Sequence, residues 1–315
     1  MKGALVQPPA GNPRFSGVCY RGARIRTGDL TDPNGARYQA APRPEDVRQY
    51  PTAAGSDSVS GAMTPLREIV DALDELLEVS SFHDFCPNGL QVEGRSEVDR
   101  VVTGVSASVE LFERALELGA GLVLVHHGLF WDGDEARVVG ALRARLRLLL
   151  DAEVSLLAYH LPLDAHASLG NNVLIANGIG ALPLRPFAPV SGRPVGWIAT
   201  FNEGGLAREE LVARLATLTG RAPLAFLDGP EDVHTIGIVS GGGGRNVHDA
   251  IATGLDAFIT GEPEEWARAV AREAGITYVA CGHHATETFG IRALGELLSE
   301  RFGIEHSYVD IANPV

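Results

Sequence analysis

Three short stretches carry side chains that can do chemistry together. The first is Val125-His126-His127-Gly128, two adjacent imidazoles followed by a glycine. The second is His160-Leu-Pro-Leu-Asp164, and the third is Gly282-His283-His284-Ala-Thr-Glu287. Each has a bland reading when taken alone. A histidine doublet at a strand end can be a polar edge bonded to backbone. A loop aspartate is commonly a turn residue or a helix cap, and a His-x-x-x-Glu pair often sits on a solvated helix face. Together, His126, His127 and His283 offer nitrogen donors, and Asp164 and Glu287 offer oxygen donors. That set exceeds what one tetrahedral zinc site uses. It suits two ions sharing a carboxylate, with Glu287 as the bridge. Mixed imidazole and carboxylate ligation accommodates zinc, iron(II), manganese or cobalt. Water on such ions is acidified to a pKa near ~7, which supplies hydroxide at neutral pH. His160, His284 and Glu262 are candidates for orienting ligands or moving protons.

These residues need elements that deliver them. Leu122 to Val125 is a short apolar run closed by polar residues, the pattern of a buried strand. Successive strand residues point to opposite faces, so both histidines can face one site only if the strand breaks, which Gly128 permits. A strand over 101–105 precedes it, with Ser108 capping a helix over 109–118. The arginine- and leucine-rich run 141–150 reads as a helix, and 154–159 as a strand ending at His160. Further on, strands are expected at 196–201, 235–239, 256–260, 277–280 and near 306–311. Helices are expected at 206–218, 246–253, 263–273 and 285–301. A helix starting at the third stretch places His283 and Glu287 on one face. Alternating strands and helices predict an α/β fold with mainly parallel sheets covered by helices, the histidines lying at strand C-terminal ends where ligands bind.

Some segments read as connections. Thr64-Pro65 has the form of a cap and first position for a helix carrying Leu66, Ile69, Val70 and Leu73. Asp84 to Val92 contains Pro and Asn-Gly turn signals. The stretch from Asn177-Gly178 to about Arg193 is rich in Pro and Gly and reads as a boundary. We therefore expect a first α/β half over 63–190 and a second over 191–315. The run Ser240-Gly-Gly-Gly-Gly-Arg245 lacks the Lys-Ser/Thr of a P-loop; its readings are an anion cradle or a tight turn.

Composition limits the function. A net charge of −14 disfavours sequence-independent nucleic-acid binding, which relies on Lys and Arg neutralising phosphates. No apolar run approaches the roughly eighteen residues of a membrane span. The cysteines Cys19, Cys86 and Cys281 form no C-x-x-C pair, which fits a reducing cytoplasm rather than a disulfide framework. Residues 1–62 differ from the rest, with eight Lys/Arg against five Asp/Glu and no persistent apolar periodicity. They are expected to be a disordered extension or the product of a misassigned start, with the native protein beginning at Met63.

With these motifs in place, the chain resembles the NIF-three-like dinuclear metal family, whose bacterial members bear the name GTP cyclohydrolase I type 2 homologue. The resemblance runs from about Met63 to Val315. It rests on Pro87-Asn-Gly-Leu-Gln-Val-Glu93, Val125-His-His-Gly-Leu-Phe-Trp131, His160-Leu-Pro-Leu-Asp-Ala-His166, Leu169-Gly-Asn-Asn172, Ile259-Thr-Gly-Glu262, Gly282-His-His-Ala-Thr-Glu287 and Asp310-Ile-Ala-Asn-Pro314. It implies two metals on His126, His127, Asp164, His283 and Glu287. It also implies two α/β halves assembled into a homohexameric ring with the sites facing an interior cavity. The leading expectation is a metal-dependent hydrolase that opens the imidazole ring of GTP. The rivals are a non-enzymatic metal-handling or regulatory scaffold, and a hydrolase of another phosphate ester or cyclic amide.

Overall fold

The computed structural model describes residues 63–202 and 204–315. The expectations for residues 1–62 lie outside the described residues. Two larger sheets organise the rest. The first has the strand order Glu305–Tyr308, Arg100–Ser106, Leu122–His127, Ser155–Ala158, Gly89–Val92. Its first three pairings are parallel and the last is antiparallel. The second runs Leu224–Leu227, Thr277–Ala280, Ala257–Thr260, Thr235–Val239, Arg193–Thr200, Leu182–Val190. Here three parallel strands lie between antiparallel neighbours. The fold is α/β, with a mainly parallel first sheet and a mixed second sheet.

The parallel strands are continuous apolar runs because both faces are covered. Leu122, Val123, Leu124 and Val125 are all fully buried. Alternate residues feed opposite cores, as the strand period requires. Leu122 and Leu124 join a cluster with Ile69 and Leu73 of the helix Leu66–Leu76 and Leu294 and Leu298 of the helix Thr288–Phe302. Val123 and Val125 join the opposite cluster with Leu111 and Phe112 of the helix Val109–Glu117 and Leu149 of the helix Gly140–Asp151. The Ser108 hydroxyl accepts a hydrogen bond from the Leu111 amide at 3.1 Å, which is the expected cap. The second sheet is covered in the same way. Val247, Ala250, Ala267 and Ala271 pack on one face, and Leu211, Leu215 and Ile175 on the other.

Several local expectations change. Leu182–Val190 is a nine-residue strand, where the sequence reads as a Pro- and Gly-rich boundary. It lies at the edge of the second sheet and pairs on one side only. Proline cannot donate to a ladder, so an edge tolerates Pro183, Pro186 and Pro189 where a central strand does not. Thr64 caps nothing; Thr64–Pro65 pairs with Glu97–Val98, and the Leu66 amide donates to the Ser96 carbonyl at 2.8 Å. Gly89–Val92, within the stretch of turn signals, is an edge strand too. The expected helix over 285–301 is two pieces, His283–Thr286 and Thr288–Phe302. Glu287 stands at the joint.

The contributions of the chain to the two sheets interleave. After the second sheet is complete, Thr288–Phe302 crosses onto the first, and Glu305–Tyr308 pairs beside Arg100–Ser106. Among the described residues no helix is long and apolar enough to cross a membrane. Because Phe112 is fully buried under the first sheet, Phe112→Ala is expected to lose about 3–5 kcal/mol of stability, read from chemical denaturation.

Candidate metal centre

All the strands that matter here end at one place. Leu122–His127 ends in the histidine pair, and Ser155–Ala158 leads through Tyr159 and His160 into the helix Leu161–Ala165, which carries Asp164. From the second sheet, Thr277–Ala280 leads through Cys281 and Gly282 to His283. Glu287 occupies the middle. Its Oε1 lies 3.6 Å from His126 Nε2, and its Oε2 lies 3.2 Å from His127 Nε2 and 3.1 Å from His283 Nε2. Asp164 Oδ2 lies 3.5 Å from His126 Nε2. The sequence-predicted donors His126, His127, Asp164, His283 and Glu287 thus meet as two triads that share Glu287: His126, Asp164 and Glu287, and His127, His283 and Glu287.

The strand does not break to achieve this. Ladder pairing with Arg100–Ser106 continues through Ser106 and His127. The two imidazoles nevertheless lie with centroids 4.8 Å apart, because each reaches past the strand end to opposite oxygens of Glu287.

A shell of fixed partners aims each side chain. His126 Nδ1 bonds the Tyr159 carbonyl at 2.8 Å, His127 Nδ1 the Ser106 hydroxyl at 3.0 Å, and His283 Nδ1 the Glu262 carboxylate at 2.5 Å. Each bond leaves Nε2 for the centre, the usual arrangement of metal-bound histidine. Asp164 Oδ1 accepts from Asn171 Nδ2 at 2.8 Å and from the Ser240 hydroxyl at 3.2 Å, which leaves Oδ2 for His126. The fully buried Asn171 and Asn172 then tie this corner together. Asn171 Oδ1 accepts from the Gly290 amide at 2.8 Å, and Asn172 Oδ1 from the Ser240 amide at 2.7 Å.

Glycines let the backbones close in. The tetraglycine stretch is filled by packing: a Cβ on Gly243 meets Val239, and one on Gly244 meets the Glu262 carbonyl. Gly241 has φ +58°, and a Cβ there sits 2.0 Å from Glu287 Oε1. At Gly241 only glycine fits beside the shared carboxylate.

Charge and burial oppose each other here. Burial works against the charged form of His126, yet Asp164 and Glu287 outweigh it and raise its pKa well above the ordinary value. Burial, helped by the neighbouring imidazoles, pushes His127 down to about 3. At His283 burial is overcome by Glu287 and Glu262, which lift it to about 9. At Glu287 the surrounding histidines overcome burial and hold the carboxyl well below its usual range. Even so, His126 Nε2 and Glu287 Oε2 are buried with no hydrogen-bond partner. Buried polar atoms are almost always satisfied. A buried imidazole nitrogen and a buried carboxylate oxygen left unsatisfied, one in each triad, fit divalent cations of the zinc, iron, manganese or cobalt type.

The remaining predicted residues surround this cluster. Glu262 holds His283, and His284 Nε2 bonds Asp310 at 2.9 Å. Both line a cleft of about 140 Å³ with Ser106, His127, His283 and Asn313. His160 packs on His126 and His127 with centroids 5.0 and 5.6 Å away. Sequence reasoning missed Asp84, which binds His160 Nδ1 at 2.8 Å. Its only signal was its place before Pro87-Asn-Gly, which reads as a turn. It also missed Ser106, Asn171 as a tether, and Asp310.

An α/β protein of two sheets, with a buried imidazole–carboxylate cluster where their strand ends meet, is the class defined by this fold and site. The chain belongs to the Duf34/NIF3 (NGG1p interacting factor 3) family, whose profile matches residues 64–314. It is 43% identical over 249 residues to a Pseudomonas aeruginosa protein named GTP cyclohydrolase 1 type 2 homolog, covering 79% of this chain and 98% of that one. An Escherichia coli K12 protein of the same name is 42% identical over 248 residues, covering 78% and 98%. Among solved structures, the protein ybgI superposes with a TM-score of 0.76 at 40% identity, covering 80% of this chain and all of that one. The protein TTHA1606 from Thermus thermophilus gives 0.72 at 35% identity, covering 80% of this chain and all of that one.

Two outcomes follow from the geometry. Gly241→Ala drives a methyl into Glu287 and is expected to abolish tight metal binding. Gly242→Ala, whose Cβ has nothing nearer than 3.9 Å, is expected to bind metal as the wild type does, both read by elemental analysis after dialysis. Metal must also displace the protons that the raised pKa values of His126 and His283 retain in the metal-free cluster. Affinity is therefore expected to fall as pH drops below about 9, with proton release seen by calorimetry in buffers of different ionisation enthalpy.

Proposed function

We propose that this protein is a metal-dependent hydrolase whose centre holds two divalent cations bridged by Glu287. The observation that carries this reading is the division of one buried carboxylate between two donor triads, Oε1 with His126 and Asp164, Oε2 with His127 and His283. When bound, such a pair of cations would supply an acidified water and stabilise developing negative charge.

The chain's own residues do the rest. His126, Asp164 and Glu287 are buried and form the floor, while His127 and His283 are 17% and 28% exposed and face the cleft. Substrate therefore approaches over His127 and His283. Glu262 and His284 stand at the rim, placed to bind or orient it. Glu262 has a second task, since its bond to Nδ1 keeps the Nε2 of His283 turned inward. The pocket is small against the ~300–1,000 Å³ of typical ligand sites. One chain thus encloses the reacting group of a substrate and leaves its remainder outside, which fits assembly into the homohexameric ring with a neighbouring subunit closing the site.

The name shared by the relatives makes GTP the first substrate to test, with hydrolytic opening of its imidazole ring as the reaction. We expect purified protein to bind two cations per chain and Glu287→Ala to bind neither tightly, with turnover falling to background. Elemental analysis, a GTP assay under zinc, iron, manganese and cobalt, and an untargeted metabolite screen check this. Metal-loaded protein that turns over nothing in the screen overturns the hydrolase and favours a metal-handling scaffold. Turnover of another phosphate ester or cyclic amide keeps the hydrolase and replaces GTP.

A further inference from the structure

One imidazole beside the cluster belongs to neither triad. A ring nitrogen of His160 lies within 4.8 Å of nitrogens of both His126 and His127, and the clusters that contain Glu287 do not include it. His160 is held more elaborately than a bystander needs. Its Nδ1 lies 2.8 Å from Asp84 Oδ1, and its backbone amide donates to Asn88 Oδ1 at 2.7 Å. The edge of Trp131 closes one side, its centroid 5.2 Å away at 79°.

Asp84 is fixed in turn. Its side chain is 2% exposed, and its Oδ2 accepts from Asn88 Nδ2 and the Leu161 amide, both at 2.9 Å. Its Oδ1 also accepts from the Phe85 amide at 2.7 Å. Burial works against its charge, but contacts with His160, then with Asn88 and the Leu161 amide, hold its pKa below the ordinary value. With three N–H groups already directed at its two oxygens, Asp84 is the acceptor of the shared bond and His160 Nδ1 the donor. In a neutral imidazole one nitrogen donates and the other accepts. Asp84 takes the Nδ1 donor, which in the neutral ring leaves Nε2 as the acceptor.

We propose that His160 is a ligand-positioning residue, oriented by Asp84, whose Nε2 accepts a hydrogen bond from an N–H or O–H group of whatever small molecule chelates the metal pair. This inference rests on the two-cation reading above and adds a ligand class to it: chelating groups that carry a donor proton next to their metal-binding atoms. Within this proposal His160 serves the bound molecule rather than the cations: the two groups that share Glu287 do not contain it, and its group with His126 and His127 includes no carboxylate of either triad.

A matched pair of probes tests it without reference to turnover. Acetohydroxamate chelates metal ions through two oxygens and keeps an N–H; N-methylacetohydroxamate chelates alike and has none. Metal content is measured first, then the affinity of both probes for metal-loaded full-length protein by calorimetry. The wild type is expected to prefer the N–H probe about five- to tenfold, the worth of one neutral hydrogen bond. His160→Phe is expected to bind two cations and lose the preference, and His160→Gln, which retains an acceptor oxygen, to recover part of it. Asp84→Asn, which frees Nδ1 from its carboxylate, is expected to weaken the preference, and it carries the comparison should His160→Phe fail to fold. Equal affinity of the two probes for the metal-loaded wild type overturns the proposal. So does a His160→Phe protein that keeps the preference, or a folded one that binds fewer cations, which makes His160 a metal ligand. A wild type that binds no cations overturns the two-cation reading itself, and the metal count tells these failures apart.

Discussion

The structure depends on one buried negative charge. Glu287 is enclosed by three imidazoles and sits at a joint between two helices, remote from water. An isolated carboxylate in such a place costs several kcal/mol and would otherwise be protonated. Positive charge on His126 and His283, drawn from both sheets, offsets that cost. His126 closes a strand of the first sheet, and His283 follows a strand of the second. The cluster therefore acts as a fastening between the sheets, and its geometry is as much a matter of folding as of chemistry.

This fastening explains polar residues that serve no chemistry themselves. Asn171 and Asn172 are wholly buried, an unusual place for amides. Each spans two elements, with Asp164 on one side and Ser240 or Gly290 on the other. Buried polar networks that are fully satisfied fix a unique arrangement. The position of Asp164 is set by that network, and that of His126 by the Tyr159 carbonyl. The donors are thereby held before any cation arrives, which removes part of the ordering cost of binding.

The sequence disclosed the donors because each stood in a context that packing alone does not explain. Two histidines closing a wholly apolar run, and an aspartate followed within eight residues by paired asparagines, have little reason to exist in an ordinary core. Helix spacing then placed His283 and Glu287 together. Their orienting partners were harder to see. Asp84 sits among turn residues, and its bond to His160 joins positions 76 residues apart, which no local pattern encodes. Ser106 reads as an ordinary strand end. The edge strand Leu182–Val190 was obscured by its prolines, which a one-sided ladder accommodates. The strand order of the two sheets, and the return of the last strand to the first sheet, are likewise set by tertiary pairing rather than by periodicity.

That return has a consequence for how the molecule is made. Glu287 is translated after every other donor, and the helix that follows it is needed to cover one face of the first sheet. During synthesis the histidine pair waits on the ribosome with neither its carboxylate partner nor its final packing layer. Both triads are therefore complete only when nearly all of the chain has emerged, and before that the histidine pair stands without the carboxylate it shares with His283.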